Sequence, residues 1–301
     1  MARRRKGLDI NGWLVLDKAV GPTSTDMVNR VRWLLKAKKA GHAGTLDPLA
    51  SGILPIAFGE ATKCIHLSMD AEKTYEFTVR WGVETTTDDA EGAPVETSAE
   101  RPDEAAIRAA MPGYTGIISQ RPPAFSAIKV DGERAYDLAR DGEPPELAPR
   151  EVEIFDLELT GMPDPDHAAF RMVCGKGTYV RSLARDLGRD LGCFGHVSAL
   201  RRTAVGAFRL EGAISLADFE SLCDKRAGHE ALLPVETALD DIPALALTGE
   251  QANRLRNGQP VRVLNFTSPD DQILCVMHDR KPVALARYRA EMVEPVRVFN
   301  L

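Results

Sequence analysis

Long apolar runs are missing from this 301-residue chain. No stretch approaches the roughly 18 apolar residues that a membrane-spanning helix needs, so no membrane segment is expected. Cysteine is scarce and scattered. Cys64, Cys174, Cys193, Cys223 and Cys275 lie far apart with no C-x-x-C pair, which argues against a disulfide framework and a cysteine zinc site. That usage fits a reducing cytoplasm. The basic start from Met1 to Lys6 lacks the apolar stretch of a secretory signal. No G-x-G-x-x-G follows a strand pattern, and there is no Walker sequence, no G-x-S-x-G elbow and no H-x-x-x-H pair. Dinucleotide, nucleoside-triphosphate, serine-hydrolase and zinc-peptidase chemistries are therefore unsupported. An enzyme built on this chain is expected to need no cofactor, metal or redox change.

What is present is charge, and it is segregated. The chain carries a formal net charge of −6, yet residues 1–40 hold ten Lys or Arg against three Asp, a net of +7. Residues 84–104 hold eight Asp or Glu against Arg101 alone, a net of −7. Phosphate binding follows the local field and not the sum, so the first segment suits nucleic acid as well as it suits a solvated helix face.

Gly12 to Asp17 reads as a short buried strand. A helix start follows at Thr23-Ser24-Thr25-Asp26, with Met27, Val28, Val31, Leu34 and Leu35 at helical spacing. Tyr75, Phe77, Val79 and Trp81 alternate with polar residues, which predicts a half-buried strand over 74–82. The acidic stretch 84–103 reads as a loop, with a short helix from Glu104 to Met111. Prolines and glycines over 119–150 mark an excursion from the core with its own small helix around residues 134–140. Strands are expected at 152–159 and 170–174. A helix then follows with Leu183, Leu187 and Leu191 on one side and Arg181, Arg185 and Arg189 on another. From residue 243 the texture changes to a capping box at Thr248–Gln251 and four short strands at 261–264, 273–278, 283–289 and 293–299.

The segment from Gly41 to Pro55 is poor in charge and rich in glycine and proline, and it holds His42 and Asp47 five positions apart. Asp before Pro48 favours a helix start, with Asp as cap and Pro in the first helical position. A lone carboxylate in apolar surroundings is equally a candidate nucleophile, provided that a cation keeps it charged. Arg181 beside a glycine-rich turn is one such cation. Local spacing leaves both readings of Asp47 open.

Taken together, Gly41-His42-Ala43-Gly44-Thr45-Leu46-Asp47-Pro48-Leu49-Ala50-Ser51-Gly52 resembles the catalytic motif of the TruB family of tRNA pseudouridine synthases. Lys73-Thr74-Tyr75, the run from Lys176 to Ser182, and Ala199-Leu200-Arg201-Arg202-Thr203 resemble its other signature segments in the same order. Asp88 to Gly92 and Ser126 to Lys129 are similar as well. The likeness covers about residues 11–215 well and the C-terminal part more loosely. Where the family usually has Lys-Pro, this chain has Lys18-Ala19, which removes local rigidity but no chemical group.

The resemblance implies an α+β pseudouridine synthase fold: a mixed, largely antiparallel central sheet flanked by helices, with a small C-terminal β-rich PUA-like module. The implied division is a basic tail over 1–10, a catalytic domain over 11–242 with an insertion at about 119–150, and an RNA-binding module over 243–301. The implied reaction is isomerisation of the T-loop uridine 55 of tRNA, with no cofactor and no metal. Asp47, Tyr75 and Arg181 would be catalytic, and His42, Tyr179, Leu200, Lys18 and Lys129 would bind substrate. The implied partner is tRNA, with no membrane and no obligate protein partner, and the protein would be a cytoplasmic monomer. Two further roles share this core: a tRNA folding chaperone, and the catalytic subunit of a guide-RNA complex.

Overall fold

This computed structural model describes residues 7–126, 128–130, 132–143, 145–264 and 266–301. The buried run at the start of the chain forms strand β1 (Gly12–Lys18). Helix α1 (Ser24–Leu34) follows, capped by Thr23, whose hydroxyl accepts the Asp26 amide while the Asp26 carboxylate accepts the Thr23 amide. Its Met27, Val28 and Val31 are buried, as the apolar spacing predicts. Strands β2 (Ala40–His42) and β3 (Ala50–Phe58) are antiparallel partners, and the Asp47 segment loops between them. Helix α2 (Ile65–Asp70) leads to β4 (Lys73–Trp81), where Phe77, Val79 and Trp81 are buried on one face.

The acidic stretch expected to be a loop starts instead as a hairpin, β5 (Val83–Thr85) with β6 (Pro94–Thr97). Its acids break the apolar alternation that identifies strands in sequence. Helix α3 (Glu104–Ala110) and strand β7 (Gly116–Gln120) follow. The excursion carries a small hairpin, β8 (Lys129–Val130) with β9 (Glu133–Arg134), and helix α4 (Ala135–Arg140). The chain returns as β10 (Arg150–Asp164) and β11 (His167–Cys174), then helix α5 (Val180–Asp190) and the long strand β12 (Gly195–Val205). Two short strands, β13 (Phe208–Arg209) and β14 (Ile214–Ser215), precede helix α6 (Leu216–Asp224).

The main sheet runs β14-β1-β3-β12-β4-β11-β10-β7. Its pairs are antiparallel except β12 with β3 and β1 with β14. Inserting β12 between β3 and β4 matters most for the site. It sets Leu200 opposite both Ala50 and Phe77, and Arg202 opposite both Gly52 and Tyr75. Segments up to about 150 residues apart in sequence thereby meet on three adjacent strands.

The remaining chain forms β15 (Ala244–Ala246), helix α7 (Gly249–Arg256), β16 (Val261–Arg262), β17 (Ile273–His278), β18 (Lys281–Arg289) and β19 (Met292–Val298). Five strands rather than four make this second sheet, in the order β15-β17-β18-β19-β16. One core lies between the main sheet and α1, α5 and α6, with Leu14, Leu54, Phe170, Leu183 and Phe219 among its members. On the opposite face, Trp13, Val15, Ile53 and Ala57 pack with Cys275, Leu285 and Phe299 of the second sheet. The second sheet also has an apolar core of its own around Leu255, Val276 and Val283.

Candidate active site

Asp47 does not cap a helix. The Ala50 amide donates to the Asp47 carbonyl at 3.0 Å, closing a turn with Pro48 in its second position, and strand β3 begins at once. Proline fixes φ as that turn position requires, so the Asp-Pro pair serves a turn instead of a helix start. Three neighbours hold the turn. Ser24 at the head of α1 uses its hydroxyl both to accept the Leu46 amide at 2.8 Å and to donate to the Leu46 carbonyl at 3.0 Å. The Gly21 amide and the Lys18 ammonium both donate to the Pro48 carbonyl, at 2.8 and 3.3 Å.

Lys18 is wholly buried, and its Nζ also donates to the Ala19 carbonyl at 2.9 Å. Burial lowers its pKa, and the Asp47 charge opposes that shift. Lys18, expected to bind substrate, thus lies beneath the turn with its ammonium on backbone carbonyls.

The turn leaves the Asp47 carboxylate partly open, with 36% of its side chain exposed, against Arg181, whose side chain is 4% exposed. Arg181 is the second residue of α5. Its Nη2 lies 2.9 Å from Asp47 Oδ2 and donates to the Phe125 carbonyl at 2.8 Å, while Nη1 donates to the Thr87 carbonyl at 2.9 Å and faces Asp89 at 3.6 Å. Its planar fork thus holds one guanidinium between the Asp47 turn, the acidic segment and the root of the insertion. The sequence reading singled out Arg181 but missed Thr87, Asp89 and Phe125 as its partners.

The same helix shows why the acids at 84–89 are clustered. Arg185 pairs with Asp88 at 2.9 Å, and Arg189 grips Glu84 with two nitrogens at 2.5 and 2.7 Å. Arginines four residues apart lie on one helix face, so three successive turns of α5 clamp the segment. Burial pushes the Asp88 carboxyl up to about 6 despite the opposing charge of Arg185. The spacing of Arg181, Arg185 and Arg189 against Glu84, Asp88 and Asp89 was the available signal.

Tyr75 begins the outward end of its strand, half-buried against the main core. Burial pushes its phenol pKa up, while the charge and hydrogen bond of Arg202 work against that rise. The charge of Asp47 also reaches it. Leu200 is buried between β3 and β4. The Gln120 amide clasps the Tyr179 backbone at both ends, at 2.8 and 3.1 Å, and the Arg150 guanidinium lies 5.2 Å from the Tyr179 ring centre. His42 sits half-buried opposite Ile56, two residues before Gly44 and the turn. Lys129 is exposed on the β8–β9 hairpin, and no contact among the described residues joins it to Asp47, Tyr75 or Arg181.

A cleft of about 750 Å³ opens across the exposed sheet face, lined in part by Val20, Leu49, Ser51, Glu91, Leu200 and Arg201. Its lining is largely apolar, with Glu76, Glu91, Arg171 and Arg201 as its charged members. Among the described residues no cluster of three His, Cys, Asp or Glu is arranged to hold a metal, and no helix is long and apolar enough to cross a membrane.

Comparison with known proteins agrees with this geometry. Residues 32–180 match the N-terminal domain of the TruB family pseudouridylate synthases, and residues 181–240 match the tRNA pseudouridylate synthase B C-terminal domain. A tRNA pseudouridine synthase B of Caulobacter vibrioides is 53% identical, with 100% of both chains covered. One of Nitrobacter winogradskyi is 55% identical over 99% of this chain and 85% of its own. In fold, the chain is similar to a solved H/ACA RNP bound to a substrate RNA containing 2′-deoxyuridine. The TM-score is 0.76 at 23% identity, with 100% of this chain and 92% of the other covered. A Cbf5-Nop10-Gar1 complex gives 0.75 at 25% identity, covering 95% of this chain and 84% of the other. With family models spanning the Asp47 turn, the insertion and the Arg181 helix, and relatives more than half identical along its length, the chain belongs to the TruB family of pseudouridylate synthases.

Proposed function

We propose that this chain converts uridine 55 in the T-loop of tRNA to pseudouridine, with Asp47 as the reacting carboxylate. The observation that carries the reading is the partly open Asp47 carboxylate paired with the buried Arg181, on a turn that runs into the cleft-lining residues Leu49 and Ser51. The reaction breaks the N1–C1′ bond, turns the uracil, joins C5 to C1′, and moves the C5 proton off the ring while N1 gains one. No atom is gained or lost overall. A single carboxylate serves three routes, acting at C1′, at C6 or on the C2′ proton. All three need Asp47 next to the sugar and base.

The target base is stacked within the tRNA elbow, so it has to be flipped out, at a cost of a few kcal/mol. Stacking on an aromatic ring returns about 1–3 kcal/mol. Tyr75 supplies that ring and receives the C5 proton in the last step. Tyr179 and Leu200 line the pocket, and His42 fills the space the base leaves. Arg181 orients the carboxylate, and Lys18 braces its turn from below. Lys129, with the rest of the exposed insertion hairpin, grips the T-arm backbone.

The lone chain acts as a cytoplasmic monomer, without guide RNA or protein partner, and residues 243–301 form its PUA-like RNA-binding module. The test is the purified chain on an unmodified tRNA transcript with the product position mapped. Product at position 55 is expected, and Asp47→Asn should abolish it while tRNA binding persists. A product that requires an added guide RNA would favour the guide-dependent reading, and an active Asp47→Asn variant would refute the role of Asp47.

A further inference from the structure

We infer that Arg202 is a positioning residue for the reaction, holding Tyr75 and the Asp47 turn to one another through a single buried guanidinium. The inference rests on reading Asp47 and Tyr75 as the reacting groups.

Arg202 is 1% exposed, on β12 between β4, which carries Tyr75, and β3, which follows the Asp47 turn. Its Nε donates to the Ile53 carbonyl at 2.9 Å, and Nη2 donates to the Gly44 carbonyl at 3.1 Å. Nη1 makes a longer contact with the Thr45 carbonyl at 3.4 Å. Tyr75 is its directly opposite neighbour on the adjacent strand, and the guanidinium charge acts on the phenol. One side chain therefore touches the loop before Asp47 and the strand after it, and lies opposite the tyrosine.

Two glycines of the Asp47 segment are shaped around this residue. Gly52 has φ +98°, and a Cβ there would fall 2.2 Å from the Arg202 carbonyl oxygen and 2.9 Å from its nitrogen. Gly44 has φ +102°, and a Cβ there would sit 3.4 Å from Arg202 Nη1. Glycine alone takes such backbone geometry without strain. Two of the glycines that make the segment distinctive in sequence thus close on one arginine.

The charge of Arg202 has no counterion. Its neighbour Arg201 pairs with Asp17 at 2.7 Å, but among the described residues no carboxylate lies within ion-pair reach of Arg202. Burying a cation without a partner is costly, and a strut that only joined carbonyls would not need the charge. The phenol gives the charge a purpose. A guanidinium can only donate, so toward the Tyr75 oxygen it acts as a donor and a charge. The positive charge also favours the phenolate, which is the form that takes the C5 proton as the C5–H electrons restore the ring double bond.

The test compares Arg202→Met, which removes the charge at similar length, with Arg202→Lys, which keeps it. Both are combined with Tyr75→Phe and assayed by single-turnover rate at saturating tRNA. Tightly held groups misplaced by about 1 Å lose on the order of 10²-fold in rate. That loss is expected for Arg202→Met, with tRNA affinity changed far less, and Arg202→Lys should recover a clear part of it. The rate of Arg202→Met should rise only at higher pH than in the parent. In the Tyr75→Phe background the charge effect should largely vanish, because its acceptor is gone.

A folded Arg202→Met variant with the parental rate and pH profile overturns the inference. So does a rate loss that Lys does not rescue and that adds fully to Tyr75→Phe. Should Arg202→Met fail to fold, a folded Arg202→Lys variant at the parental rate, additive with Tyr75→Phe, overturns it alone. Asp47→Asn, run alongside, separates the two levels. If Asp47→Asn is inactive and the Arg202 variants are normal, only the role of Arg202 falls, whereas an active Asp47→Asn removes the site reading itself.

Discussion

The Nη2 nitrogen of Arg181 stands 2.9 Å from Asp47 Oδ2 and also donates to the Phe125 carbonyl 2.8 Å away. The same nitrogen that holds the Asp47 carboxylate therefore fixes the chain where the insertion leaves the sheet. Movement of the insertion root by even an ångström would be felt at Asp47.

Arg181→Lys should behave nearly as badly as Arg181→Met, because one ammonium cannot span Asp47, Thr87 and Phe125 as a planar fork does. A loss of at least about 10²-fold in single-turnover rate is expected for both. Turnover by Arg181→Lys within a few-fold of the parent would show that charge alone suffices.

The rungs of the arginine ladder should not be equal. Arg189 is half exposed and two helical turns from Arg181, while its partner Glu84 is buried, so the pair should matter more to stability than to catalysis. Glu84→Gln should keep turnover within about twofold of the parent, because the pair stands away from the Arg181–Asp47 contact. Asp89→Asn, which changes the residue facing Arg181 Nη1, should slow turnover far more. Steady-state assays of the two variants side by side decide the point.

Gly52→Ala should be severely destabilising. It forces a side chain onto a left-handed backbone position and drives its Cβ to 2.2 Å from a strand carbonyl. Strain at such a position costs about 1–3 kcal/mol before the clash is counted. Urea unfolding monitored by circular dichroism should show a lower midpoint, and an unchanged midpoint would contradict the close approach of β12 to β3.

Lys73 offers a test of sign. Burial lowers its pKa from 10.5 to about 8, although its ammonium donates to the Met69 and Ala71 carbonyls. Between pH 8 and 10.5 the unfolded chain holds this proton and the folded chain does not, so the stability from this group rises with pH across that window. It is lost as pH falls through about 8. The parent should gain stability relative to Lys73→Met as pH rises from 8 to 10.5, with no such trend below pH 7. Chemical denaturation across that range reads the difference directly.

Much of the fold was legible because its elements carry local signals. The Thr23–Asp26 capping box, the alternation from Tyr75 to Trp81 and the heptad-like leucines of α5 each match an element in place. Strand β12 was not called a strand from its pattern, since Arg201 and Arg202 interrupt any apolar alternation. Its pairing comes from neighbours on both sides, which no local window contains. The acidic segment failed for a related reason. Its acids all look solvated until three arginines about 100 residues later are folded over Glu84, Asp88 and Asp89. In the site, Asp47 and Arg181 were visible as residue types, and the resemblance supplied their pairing. The burial of Lys18 was not visible, because a lysine beside a turn reads as exposed in any sequence.

The second sheet rests on the reverse side of the very strand that follows Asp47. Ile53 and Ala57 of β3 face Cys275, Leu285 and Phe299, while Leu54, Ile56 and Phe58 face the other core. Lys63 also donates to the Val298 carbonyl at 2.7 Å, and the Asn300 amide donates to Glu60 at 2.7 Å. Cutting the chain near residue 243 would thus strip an apolar surface bare directly behind the Asp47 turn. The change of texture there marks a boundary in composition but offers no clean seam for dissection, and a catalytic fragment made by truncation should aggregate rather than serve as a minimal enzyme.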